Sequence, residues 1–284
     1  SMSVFDRLFG RARRVTEDNA TVELPRPQGP ALRVGNVQGV GARERQEDSF
    51  AVCNVSDPEA LERAGLFAVV ADGMGGMDSG NEASEAAVEA MVQLFRSLLE
   101  EGDIPRQLRE GALAVSDGIF QRFQGRSGTT VVAVRVLGDT LHWLSVGDSA
   151  IFLKRGECVF QLNREHTCLN DLYLRELKQE TIQKERAEQD EDARRLTAFV
   201  GMDRLNQVDQ SLRPWRLQPG DVVLLCSDGS SGVLTVPELK EAMSAPPDEG
   251  CRLLETMVAE KNLPAQDNYT GVMIAYQLKQ TGER

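Results

Sequence analysis

Histidine is nearly absent from this chain of 284 residues, which holds only His142 and His166, and no two of its five cysteines form a C-x-x-C pair. Zinc or copper sites built on imidazoles and paired thiolates are therefore disfavoured. Cys53, Cys158, Cys168, Cys226 and Cys251 are odd in number and irregularly spaced, the pattern of reduced structural thiols rather than a disulfide framework. No apolar run approaches the roughly twenty residues of a membrane-spanning helix, and no apolar h-region with a cleavage site opens the chain, so a cytoplasmic location is expected. Positive charge is also short: 32 Lys and Arg face 44 Asp and Glu, for a formal net charge of −12. A sequence-independent grip on nucleic acid or anionic lipid needs clustered cations, so no nucleic-acid partner is expected.

Residues 1–31 stand apart. Val4, Phe5, Leu8 and Phe9 share one helical face beside Arg7, Arg11, Arg13 and Arg14, a pattern open to a short docking or membrane-surface helix or to a frayed tail. Pro25, Pro27 and Pro30 then interrupt regular structure, and the segment is expected to be a disordered basic tail. From 32 to 278 no Pro/Gly/Ser-rich linker intervenes, which predicts a single domain followed by a short tail at 279–284.

Periodicity predicts strands at 32–38, 49–55 and 66–71, then helices at 82–100 and after Pro105, the second with Leu108, Ala112, Val115, Ile119 and Phe123 on its inner face. A meander follows at 129–137, 141–146, 150–153 and 157–162. Residues 163–195 turn highly charged and read as an exposed, partly helical insertion. A strand at 222–227, a capping box at Thr235 and Glu238, a helix at 251–261 and a last strand at 270–278 complete an α+β chain with two antiparallel sheets and helices outside.

What the chain does have is acidic residues at the edges of those apolar runs: Glu47-Asp48, Asp72-Gly73-Met74-Gly75-Gly76, Gly147-Asp148-Ser149, Ser227-Asp228-Gly229 and Asp267-Asn268. An ionised carboxylate at a strand end is costly to bury unless a cation or donor meets it. An oxygen-only set selects hard cations, Mg²⁺ or Mn²⁺. Asp48, Asp72, Asp228 and Asp267 are the strongest ligand candidates. The glycines after Asp72 and Asp228 permit a tight turn and close backbone approach, which also offers the Gly73 carbonyl. Two ions about 3.5 to 4 Å apart would share a bridging water and aim it at phosphorus. Blander readings stand beside these: a hairpin end for Asp148, a solvated charge for Glu47, and a salt-bridged turn for Arg43 among Glu44 and Arg45.

The motifs, in order, resemble the PPM (type 2C) family of metal-dependent serine/threonine protein phosphatases: Gly41-Ala42-Arg43 through Glu47-Asp48, the Asp72 cluster, Ser127-Gly128-Thr129-Thr130, Gly147-Asp148-Ser149, Ser227-Asp228-Gly229 and Asp267-Asn268. The resemblance implies a four-layer α-β-β-α sandwich of two antiparallel sheets flanked by helix pairs. It also implies hydrolysis of phosphoserine and phosphothreonine esters on proteins by a water bridging two divalent cations, Mn²⁺ or Mg²⁺. In that pattern Asp48 and Asp72 hold the pair with Asp72 bridging, Gly73 adds its carbonyl, and Asp228 and Asp267 complete the ring. Glu47 acts through water, Asp148 serves a third ion, and Arg43 binds the substrate phosphate. Residues 163–195 correspond to a flap that sets substrate choice. The implied partners are a phosphoprotein substrate and a Ser/Thr kinase or its target, and a monomer is expected. The chain departs from the family pattern at Met74, where many eukaryotic members have histidine and bacterial members do not. It departs again at Ala150, at Ser230-Ser231-Gly232, and at Tyr269 and Gly271. The alternative is a pseudophosphatase acting as a phosphoprotein- or kinase-binding module, and the retained carboxylates argue against it. A nuclease is weaker still, for want of a basic stripe.

Overall fold

The computed structural model describes residues 31–75, 79–171 and 195–278. Both expected tails, apart from Ala31, and residues 172–194 of the expected flap lie outside the described residues.

One sheet joins β1 (Ala31–Gly39), β7 (Ala150–Arg155), β8 (Cys158–Gln161), β11 (Val222–Cys226) and β12 (Tyr269–Gln277) in the order β1-β12-β11-β7-β8. The other runs β10-β6-β5-β3-β2, from β2 (Asp48–Cys53), β3 (Leu66–Gly75), β5 (Val131–Leu137), β6 (Thr140–Val146) and β10 (Trp215–Arg216). Two short strands, β4 (Ser127–Thr129) and β9 (Asp209–Gln210), join it on β3 and β6. All these pairings are antiparallel.

Three cores separate four layers. Leu66, Ala68 and Val70 of β3 face Ile151, Leu153, Val223 and Ile274 between the sheets. Phe67, Val69 and Ala71 point the other way, onto α2 (Gly80–Arg96) and α3 (Ile104–Phe123). This two-sided burial explains why β3 reads as an unbroken apolar run rather than an alternation. On the far side, Leu224, Cys226 and Met273 pack on α5 (Val236–Ser244) and α6 (Pro247–Glu260). Two short helices, α1 (Pro58–Ala64) and α4 (Asp228–Ser231), fill connections. The expected sandwich is what the chain adopts.

The helices start where their caps direct. Asp103 accepts from Arg106 N with Pro105 at the first turn of α3, and Thr235 and Glu238 form the expected capping box of α5. All five of the predicted inner residues of α3 are buried. Three expectations need correction. Helix α2 ends at Arg96, four residues before the predicted end at 100. Helix α6 begins at Pro247, because a proline costs nothing where the amide has no intrahelical partner. Strand β3 does not stop at Ala71: it runs on through Gly75, its glycine-rich end pairing Gly73, Met74 and Gly75 with Thr129, Gly128 and Ser127 of β4. The glycines here serve close packing instead of a turn. A Cβ on Gly73 would lie 2.1 Å from Gly80 O and 2.7 Å from Glu47 O, so only glycine lets the start of α2 approach β3.

Candidate metal centre

Asp48 opens β2 directly opposite Asp72 on β3. Its carboxylate is buried, and Oδ2 accepts from Ser227 Oγ at 2.8 Å and Thr270 Oγ1 at 2.7 Å. Oδ1 is equally buried and meets no N–H or hydroxyl donor; the carboxyl group of Asp72 is its neighbour. Burial pushes Asp48 above the usual carboxylate range, and the Thr270 and Ser227 donors only partly offset it. Asp72 is held through its backbone: its amide donates to Thr130 Oγ1 at 3.1 Å and its carbonyl accepts from Thr130 N at 2.9 Å. Burial, and then repulsion from Asp48, Asp148 and Asp267, raise its pKa well above the usual range.

Asp148 sits in the turn between β6 and β7. Burial, then the charges of Asp228 and Glu165, push it up to about 7. With Asp228, Glu165, Thr167, Leu169, Ser231 and Gly232 it lines an open cleft of about 240 Å³. The turn is fixed from behind. His166 donates its amide to Gly147 O at 2.8 Å, and its Nδ1 accepts from Gly147 N at 3.0 Å. Asn163 donates to Ser145 Oγ and Ser149 O and accepts from Ile151 N, each at 2.8 Å. Ser149 Oγ lies 2.6 Å from Thr130 Oγ1, so one buried hydroxyl pair ties the Asp148 turn to Asp72. His142 lies on β6 in register with Arg135, and burial followed by the Arg135 charge lowers its pKa. Burial lowers His166 too, against the pull of Asp209 and Asp171.

Asp228 starts α4, and close approach governs here as at Gly73: a Cβ on Gly229 would lie 1.8 Å from Asn268 O. Asp267 precedes β12, half-exposed, with Oδ1 accepting from Asn268 N at 2.8 Å. Arg43 Nε reaches the same oxygen at 3.2 Å. Glu47 carries a raised pKa from burial and from Asp267, opposed by Arg43 and Arg45. Its carboxylate lies against Gly80, where a Cβ would meet Oε1 at 2.7 Å. The Gly73 amide donates to Glu47 O at 3.1 Å.

The fold thus gathers Asp48, Asp72, Asp148, Asp228 and Asp267 into one field of mutual repulsion. Among the described residues no three His, Cys, Asp or Glu side chains close into a single ligand shell; the carboxylates are neighbours by charge. Asp48 Oδ1, which no N–H or hydroxyl group meets, lies beside the buried Asp72 carboxyl, and two buried carboxylates side by side suit a hard cation, since their mutual repulsion is costly to leave unmatched. Ser127 to Thr130 was read as ordering backbone near the site, and Thr130 does so at Asp72; the supporting roles of Ser149, Asn163, Ser227, Thr270 and Asn268 were not assigned from sequence. Ser149, Ser227 and Asn268 lie within named motifs, and that placement was the available signal.

A sequence model of the family described as protein phosphatase 2C matches residues 43–266. The serine/threonine phosphatase stp of Listeria monocytogenes is 26% identical over 248 residues, covering 84% of this chain and 94% of that protein. Among solved structures, PppA, a key regulatory component of T6SS in Pseudomonas aeruginosa, is similar with a TM-score of 0.69 at 25% identity, over 86% of this chain and 97% of its own. The catalytic domain of the serine/threonine protein phosphatase PstP, solved with two manganese ions, shares the fold with a TM-score of 0.66 at 23% identity, over 87% and 98% of the two chains.

Proposed function

The chain belongs to the protein phosphatase 2C family, and from that premise we propose that it hydrolyses phosphoserine and phosphothreonine esters on proteins with two divalent cations, Mn²⁺ or Mg²⁺. The observation that carries this reading is the buried Asp48–Asp72 carboxyl pair, brought face to face by the β2–β3 register. Asp48, Asp72, Asp228 and Asp267 would hold the two ions, with Asp72 shared between them and the Gly73 carbonyl as a further ligand. Glu47 would act through water and Asp148 would serve a third ion. When bound, divalent cations would supply an acidified water as nucleophile and would offset the charge of the phosphate.

The chain's own residues prepare the rest. Ser227 and Thr270 orient Asp48, and Thr130 fixes the backbone at Asp72, so the reacting geometry is set before substrate arrives. Arg43, more than half exposed and resting on Asp267, is free to offer its planar fork to two phosphate oxygens. Met74 brings no imidazole, and burial keeps His142 and His166 toward their neutral forms. Solvent in the open cleft delivers the leaving-group proton.

Residues 32–278 would act as one catalytic domain after a basic 1–31 tail, with 163–195 as the flap beside the cleft. Thr167 and Leu169 of that segment line the cleft, which supports a role in substrate choice. No helix among the described residues is long and apolar enough to cross a membrane. A cytoplasmic monomer working on the products of a Ser/Thr kinase is the corresponding proposal. The complete carboxylate set gives no reason to prefer a non-catalytic binding module.

The test is hydrolysis of an aryl phosphate and a phosphothreonine peptide with Mn²⁺, Mg²⁺ or chelator. Turnover of both substrates with metal and none in excess EDTA is expected; full activity in EDTA would refute the reading.

A further inference from the structure

Asn268, next to the candidate ligand Asp267, is 3% exposed, yet none of its side-chain hydrogen bonds goes to a metal-site carboxylate. All three go to the backbone of one loop. Oδ1 accepts from Glu47 N at 2.9 Å, while Nδ2 donates to Val40 O at 2.8 Å and to Arg45 O at 2.9 Å. A carboxamide presents an acceptor and two donors on one rigid plane, which matches this amide and these two carbonyls. Beyond this clamp the tip of the loop leans on the same segment: Ala42 N donates to Gln266 O at 2.8 Å. Gly41 lies at φ +63°, with Gln266 O and Asp267 O each 2.5 Å from where a Cβ would stand. Arg43 falls between the two carbonyls that Asn268 holds.

We propose that Asn268 is a positioning residue for phosphate recognition: it fastens the 40–47 loop to the start of β12 and thereby fixes the point from which Arg43 reaches the substrate. The inference rests on the phosphate-binding role of Arg43. Without the clamp the loop must be ordered each time phosphate binds, and that ordering cost falls on ground-state binding. Asn268 touches neither substrate nor reacting atoms.

The experiment compares wild type, Asn268→Ala, Arg43→Ala and the double variant at saturating Mn²⁺, on one phosphothreonine peptide with inorganic phosphate as inhibitor. Asn268→Ala should raise KM and the phosphate Ki roughly tenfold while lowering kcat less. The double variant should be no worse than Arg43→Ala alone. Amide hydrogen exchange across 40–47 in the metal-free protein should quicken. If Arg43→Ala raises both constants and Asn268→Ala leaves them within about twofold, the inference fails and the Arg43 role stands. Additive losses overturn it equally, since Asn268 would then act elsewhere. If Arg43→Ala itself has no effect, both ideas fall together. Should Asn268→Ala not fold, Asn268→Asp replaces it: it keeps an acceptor for Glu47 N but sets an oxygen against two carbonyls, and unchanged KM and Ki there would be equally fatal.

Discussion

Asp48 and Asp72 are register partners across β2 and β3, so two like-charged groups stand on one face of a sheet at the distance of a directly opposed pair. Such a pair is destabilising by itself. Here both members are also withdrawn from water, and the arrangement persists because Ser227, Thr270 and Thr130 hold it from three other segments.

Removing cations should make stability depend on pH in a definite direction. Burial first, and neighbouring charge second, raise Asp72 and lift Asp148 to about 7; burial also raises Asp48. A carboxyl with a raised folded-state pKa binds its proton more tightly folded than unfolded. The metal-free fold is therefore most stable below the ordinary carboxylate range and loses stability as pH rises through the raised values. Cations relieve the repulsion and add binding energy. Thermal melts with saturating Mn²⁺ and with EDTA should separate increasingly from about pH 5 to about pH 8. Superimposed curves throughout would mean that the carboxylates take no cation.

Exchanging a carboxylate for a neutral group should abolish catalysis with little loss of fold. Asp72→Asn and Asp228→Ala should each lower kcat/KM on an aryl phosphate by roughly a thousandfold or more, because the ion that generates the nucleophile is displaced. Near wild-type turnover in both variants would contradict the ligand assignment.

The hydroxyl donors to Asp48 should matter almost as much as the ligand. Ser227→Ala and Thr270→Val each remove one donor to Oδ2, and loss of such an outer partner weakens metal binding by roughly ten- to a hundredfold. Isothermal titration with Mn²⁺ reads this directly. Equal affinity in wild type and both variants would show that Asp48 is oriented by its strand alone.

Residues around the cleft should separate large substrates from small ones. Leu169 lines the cleft on the side of the charged 163–195 segment. Leu169→Ala should reduce kcat/KM on a phosphopeptide roughly tenfold while aryl phosphate hydrolysis, which needs only the metal centre, changes far less. Equal losses on the two substrates would remove the flap from substrate choice.

Much of the fold was legible because it depends on local pattern. The inner face of α3 was read from Leu108, Ala112, Val115, Ile119 and Phe123, and the start of α5 from Thr235 and Glu238, since helix periodicity and caps span only a few residues. The end of β3 was misread for the same reason. Asp72-Gly73-Met74-Gly75 looks like a turn to any local rule, and only pairing with β4 keeps it extended. Strands as short as β9 and β10 carry no periodicity at all; they exist because β6 offers an edge.

The site divides along the same line. Residue chemistry by itself pointed to the class of ion, because the acidic motifs offer a metal only oxygen while the two histidines and five scattered cysteines stand outside them. It also determined which carboxylates were candidates, since ionised groups at strand ends need a counter-charge. Which donors meet them was decided by tertiary structure alone. Ser227 lies 179 residues from Asp48 and Thr270 lies 222 away, and no local preference encodes a contact across that distance. Protonation was decided there too: the shift of Asp148 to about 7 comes first from burial, and burial is a property of the packed sandwich, which a carboxyl on an unfolded chain does not feel.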